Sequence, residues 1–90
     1  MESFSIKWKS SAKKELKKID RTEISKILSE IEKLAQEPYP SNHKKLLGTE
    51  HIYRIRVGNY RIIYSVINDE LVIEVIRVRD IKEVYKNFLS

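Results

Sequence analysis

The residues with the most chemical potential sit in one short run, Tyr53-Arg54-Ile55-Arg56-Val57-Gly58-Asn59-Tyr60-Arg61-Ile62-Ile63-Tyr64. Gly58-Asn59 suits a two-residue hairpin loop, because glycine accepts a positive φ at the first central position. A loop of that length sets the register. Val57 opposes Tyr60, Arg56 opposes Arg61, Ile55 opposes Ile62 and Arg54 opposes Ile63. Tyr53, Ile55, Val57, Tyr60, Ile62 and Tyr64 then share one apolar face, and Arg54, Arg56 and Arg61 share the other. Like charges directly across strands destabilise a sheet. A guanidinium is also the side chain best shaped to hold phosphate oxygens in pairs. Two readings fit: a phosphate-binding patch on the open face, or arginines that are solvated or paired with acids such as Glu74.

Arg77 and Arg79 end the next apolar run, and Tyr85 follows six residues after Arg79. Their placement depends on the turn at Asn68-Asp69. A strict two-residue loop puts Glu74 and Ile76 on the arginine face, whereas a loop that includes Glu70 puts Arg77 and Arg79 there. Tyr85 on its own reads as core packing. His43 and His51 titrate near neutrality and are candidate acid–base groups. Neither has a Ser, Asp or second His at an informative spacing, which favours loop or surface roles. Lys44 and Lys45 are either solvated or in contact with nucleic acid.

The elements that must position these groups are legible from periodicity. Ser3 to Trp8 alternates, with Phe4, Ile6 and Trp8 on one side, which predicts a short strand. Ser10-Ser11 offers an N-cap, and Ala12, Leu16 and Ile19 recur at helical spacing opposite Lys13, Lys14, Lys17 and Lys18. Asp20-Arg21-Thr22-Glu23 resembles a capping box. Ile24, Ile27, Leu28, Ile31, Leu34 and Ala35 follow on one face of a helix of about four turns, which Pro38 stops. The short link at Ile19-Asp20 predicts an antiparallel helix pair. Pro38 to Glu50 reads as a loop. From Ile52 the period becomes two, predicting strands at Ile52–Val57, Tyr60–Ile67 and Leu71–Val78. Ile81, Val84 and Phe88 suggest a short terminal helix. The order β-α-α-β-β-β-α describes an α+β fold: a twisted antiparallel sheet, an N-terminal helical hairpin on one face and a short C-terminal helix.

Composition bounds what this fold is used for. The chain has 90 residues, 18 Lys+Arg against 13 Asp+Glu, and no cysteine. That is one domain, over residues 1–90, with room for one modest core. Without cysteine there is no disulfide, thiolate zinc site or cysteine nucleophile. Two histidines far from any acidic cluster argue against a catalytic metal. No apolar run has the length of a membrane span and no signal peptide is present, so the chain reads as cytoplasmic. A net charge of +5 favours a polyanion or an acidic protein as partner.

The Tyr53–Tyr64 run resembles the RelE/ParE toxin superfamily, and RelE-like toxins most of all. Lys45-Leu46-Leu47-Gly48 before it, and Arg77-Val78-Arg79 to Glu83-Val84-Tyr85 after it, extend the likeness over nearly the whole chain. The resemblance implies the toxin of a type II toxin–antitoxin pair. It implies a ribosome-dependent mRNA endonuclease that cuts the codon in the A site through attack of a 2′-hydroxyl, without metal or small-molecule cofactor. The implied catalytic positions are Arg54, Arg56, Arg61, Arg79 and Tyr85; Lys44, Lys45, Arg77 and Lys82 are the candidate RNA contacts beside them. The implied partners are the ribosome, mRNA and an inhibitory, acidic, partly disordered antitoxin, with no membrane. Many relatives carry His-Arg where this chain has Asp80-Ile81, and lysines where it has Arg54 and Arg56. The general acid and base therefore stay open. A ParE-like inhibitor of DNA gyrase with no nuclease activity, or a decayed RNA-binding relative, are the alternatives.

Overall fold

The computed structural model describes residues 3–46 and 48–81. Lys82, Tyr85 and the expected terminal helix lie outside the described residues. The elements run β1 (Ser5–Trp8), α1 (Ser10–Lys17), α2 (Arg21–Leu34), β2 (Lys44–Lys45), β3 (Ile52–Val57), β4 (Tyr60–Ile67) and β5 (Val72–Asp80). The strands form one sheet in the order β1-β5-β4-β3-β2.

The apolar periodicities decide which face is buried. Ile55 and Val57 of β3, Ile62, Tyr64 and Val66 of β4, and Ile73, Val75 and Val78 of β5 meet Ala12 of α1 and Ile27, Ile31 and Leu34 of α2 in a single core. Both helices therefore cover one side of the sheet and leave the other uncovered. Leu28, expected on the buried helical face, is 37% exposed, because the core-facing stripe of α2 narrows to Ile27, Ile31 and Leu34.

The sheet is mixed, not all antiparallel as expected. The β3–β4 and β4–β5 pairs are antiparallel hairpins, but β1 runs parallel to β5, with Ser5 opposite Val72 and Trp8 opposite Val75. Alternation assigns each β1 side chain to a face but carries no strand direction, and the helical crossover permits the parallel arrangement. Lys44 and Lys45, expected in a loop, form the far edge strand, opposite Arg54 and Tyr53. Rings pin the approach to that edge: Tyr39, His43 and Tyr53 stand with centroids 5.2–5.7 Å apart, and the Tyr64 hydroxyl donates to the Pro38 carbonyl at 2.7 Å.

The helix starts differ in detail from the expected caps. Lys9, not Ser10, is the N-cap of α1, and Asp20 occupies the N-cap of α2; neither makes a side-chain cap hydrogen bond. The Ser11 hydroxyl instead donates to the Ile76 carbonyl across the sheet edge at 3.4 Å. The last helical residue of α2 is Leu34, ahead of Pro38.

Candidate nucleic-acid interface

The hairpin register follows the loop. Gly58 has φ +58° while Asn59 stays out of the positive region, so the first central residue alone carries the left-handed conformation. Val57 then pairs with Tyr60, Arg56 with Arg61 and Arg54 with Ile63. Paired Cα atoms in such ladders lie about 5 Å apart, so Arg56 and Arg61 are immediate neighbours on the face the helices leave uncovered.

The second hairpin brings more arginines to that face by a route that neither expected loop contains. Its loop has four residues, Asn68 to Leu71, with Ile67 opposite Val72 and Leu71 at φ 54°. That register places Glu74 beside Ser65, on the arginine side. An irregularity then shifts the ladder between Ile63 and Tyr64: Tyr64 pairs with Val75, but Ile63 pairs with Arg77. Ile76 is the extra residue. A bulge of this kind reverses the alternation beyond it, so Arg77 and Arg79 also join the arginine side. Both alternatives are partly realised, Glu74 before the bulge and the two arginines after it.

The outcome is two basic rows across the sheet. One is Arg56, Arg61 and Arg79; the other is Lys44, Arg54, Ile63 and Arg77. A depression of about 350 Å³ lies among Asn42, Lys44, Arg54, Arg56 and Arg61. A second, of about 310 Å³, lies among Arg61, Ile63, Arg77 and Arg79. Arg61 walls both. Its Nε is sealed from solvent and has no hydrogen-bond partner among the described residues. Arg56 Nε donates to the Gly58 carbonyl at 3.2 Å, which ties that side chain to the turn. Glu74 forms no ion pair with these arginines among the described residues. The carboxylate that does reach the basic face is Glu15 of α1, 3.0 Å from Arg79 Nε and 3.7 Å from Arg77 Nη1.

A family model described as the ParE toxin of the type II toxin–antitoxin system parDE matches residues 6–85. The chain belongs to the RelE/ParE toxins of type II toxin–antitoxin systems. Within that superfamily it is RelE-like. A protein of Escherichia coli named as a RelE-like toxin is 31% identical over an alignment of 87 positions that covers 91% of this chain and 90% of that one. The archaeal RelE–RelB complex from Pyrococcus horikoshii contains a chain 28% identical, with a TM-score of 0.79, covering 88% of this chain and 96% of that chain. The isolated RelE toxin of E. coli is 25% identical with a TM-score of 0.80, covering 97% of this chain and 96% of that chain.

In this RelE-like chain the structure brings together Arg54, Arg56, Arg61 and Arg79, with Arg77 and Lys44 beside them. Lys45 pairs with Tyr53 and so belongs to the other side of its strand. His51 pairs with the neighbouring Glu50 at 3.8 Å, with both side chains exposed, and His43 is held in the ring cluster. Among the described residues no three His, Asp or Glu side chains converge to hold a metal ion, and no helix is long and apolar enough to cross a membrane. Sequence reasoning missed Glu15. Its signal is faint: one acid in the lysine-rich stretch from Lys13 to Lys18.

Proposed function

We propose that this toxin is a ribosome-dependent mRNA endonuclease, acting as a single domain in the cytoplasm on the codon in the A site. The observation that supports it is the row Arg56–Arg61–Arg79, with Arg54 and Arg77 adjacent, on the side of the sheet left uncovered by the helices. Like-charged neighbours raise one another's energy unless an anion lies between them. An RNA phosphate is such an anion, and its charge grows as a pentacoordinate centre forms.

The chemistry needs three things: removal of a proton from the 2′-hydroxyl, stabilisation of the developing phosphorane charge, and support for the leaving 5′-oxygen. Preorganised guanidiniums supply the second. Arg61, at the centre, is assigned the phosphorane oxygens, with Arg54 and Arg56 orienting the backbone on one side. Arg79 supports the leaving oxygen electrostatically, since a guanidinium is too weak an acid to give up its proton readily. Tyr85 is assigned as base or as a stacking platform for a codon base, since a cation close to a phenol favours the phenolate. Lys44, Arg77 and Lys82 are assigned to backbone contacts, and Lys45, on the other side of its strand, is not.

An antitoxin is the proposed inhibitor. Structurally similar RelE chains from P. horikoshii and E. coli occur in RelE–RelB and RelBE complexes. A basic sheet face suits an acidic segment that folds on binding.

The test uses purified ribosomes programmed with a defined mRNA. Primer extension should show a cut within the A-site codon, and Arg61→Ala or Tyr85→Phe should slow it by about a hundredfold, the scale of losing one oxyanion-stabilising donor or a general base. Undiminished cutting by both variants would remove the site assignment. The family model bears the ParE name, so DNA supercoiling is assayed in parallel. Inhibition of gyrase with intact mRNA would establish the alternative.

A further inference from the structure

β1 stops at Trp8, opposite Val75, so the outer edge of β5 beyond that point has no neighbouring strand. Helix α1 closes it instead. Ser11 Oγ donates to the Ile76 carbonyl at 3.4 Å, and the Val78 N–H donates to Glu15 Oε1 at 3.0 Å. The second oxygen of the same carboxylate, Oε2, forms an ion pair with Arg79, 3.0 Å from its Nε, and lies 3.7 Å from Arg77 Nη1. The Glu15 side chain is only 23% exposed, whereas its neighbours Lys13, Lys14 and Lys17 are exposed to solvent. One carboxylate thus closes a sheet edge with one oxygen and takes hold of a guanidinium with the other.

We propose that Glu15 is the positioning residue for Arg79 in RNA cleavage. The proposal rests on the phosphate-gripping function argued above and adds the group that sets its outermost arginine. With the Nε edge of the guanidinium lying against Glu15, the edge turned to a phosphate is that of the two Nη amines. An ion pair with a carboxylate holds a long side chain in one geometry and so limits its rotamers. Less freedom is then lost when the phosphate arrives. The carboxylate charge simultaneously opposes an incoming anion. Glu15 therefore exchanges ground-state affinity for orientation, and its signature is a split between binding and turnover.

Glu15→Gln separates the two oxygens' duties. The amide keeps a carbonyl to accept the Val78 N–H but brings no charge to Arg79. Its melting temperature should stay within a few degrees of the native chain. Affinity for a single-stranded RNA oligonucleotide, read by fluorescence anisotropy, should be unchanged or a few-fold tighter. Single-turnover cleavage on saturated ribosomes should fall about tenfold, the scale of a misplaced group rather than a missing one. In an Arg79→Ala background the same substitution should change the rate no further, because the partner it positions is gone. Nitrogen-15 NMR supplies a readout independent of cleavage: the Arg79 Nε–H resonance, set apart by the adjacent carboxylate in the native chain, should move toward the position of a free arginine in Glu15→Gln. Native-rate cleavage by Glu15→Gln, slowing matched by an equal loss of RNA affinity, or an unchanged Arg79 Nε–H resonance would each overturn the proposal. If the native chain cuts no mRNA, the endonuclease function and the positioning role in cleavage both fall. Loss of the Nε–H signature in Glu15→Gln would then still identify the endonuclease function, and not the Glu15–Arg79 contact, as the step that failed.

Discussion

Arg61 stands between the two basic depressions with its Nε shut away from water and unpartnered among the described residues. An unsatisfied donor of this kind costs about 1–3 kcal/mol, and its like-charged neighbour Arg56 adds to that. Arg61→Met retains most of the stem volume and removes the charge. It should raise stability by about 1 kcal/mol, seen as a higher melting temperature, while slowing cleavage about a hundredfold in primer extension. Tyr64 is the converse case, a polar atom with a partner. Burial, then the neighbouring phenols of Tyr53 and Tyr39, push its hydroxyl above the ordinary phenol value of 10.0. The folded state thus favours the protonated phenol. The stability this contributes is complete below the unfolded value and is lost as pH rises above it, because the unfolded chain releases its proton first. Urea titrations from pH 8 to 11 should show stability falling above about pH 10 in the native chain and falling less in Tyr64→Phe. That variant should lose about 1 kcal/mol at neutral pH with the hydrogen bond to Pro38.

At the scale of elements, the β3–β4 hairpin was legible in full. Gly58-Asn59 and the alternation around it are local signals, and Arg56 does oppose Arg61. Gly58→Ala forces a side chain into φ +58°, although the added carbon would meet only Glu23 Oε2, at an ordinary 3.5 Å. The strain of about 1 kcal/mol should lower the melting temperature by roughly 4–8 °C, measured by circular dichroism. What escaped sequence reasoning depends on partners far along the chain. The bulge at Ile76 leaves no local mark, since Ile76 would suit a regular strand equally well. The parallel β1–β5 pair and the two-residue β2 are set by which edges remain after the hairpins form. Leu71, a leucine at positive φ, gave no turn signal at all. Of the site, the arginines of the first hairpin could be placed from spacing. Arg77 and Arg79 could not until the bulge was seen, and Glu15 could not because it belongs to another element.

The sheet presents Lys44 and five arginines on the side that the helices leave uncovered, while its other side is sealed by helices. Single-stranded RNA binding should therefore depend steeply on salt. With about five phosphates contacted and a slope of about −0.7 per contact, affinity should fall about a hundredfold between 50 and 200 mM salt. Anisotropy titrations would read this directly, and Arg54→Ala should flatten the slope by about 0.7 without altering sequence preference. The same architecture orders events in time. The first arginine hairpin closes over a two-residue turn. The Glu15 clasp on the Val78 backbone joins positions 63 apart in the chain. Contacts of such span carry the larger loop-closure penalty and tend to form after local ones. During refolding, then, Arg56 and Arg61 should come together early. The far end of the basic row should be completed only when the amino-terminal helix docks, so that the acquisition of toxicity waits on the slowest topological step of the chain.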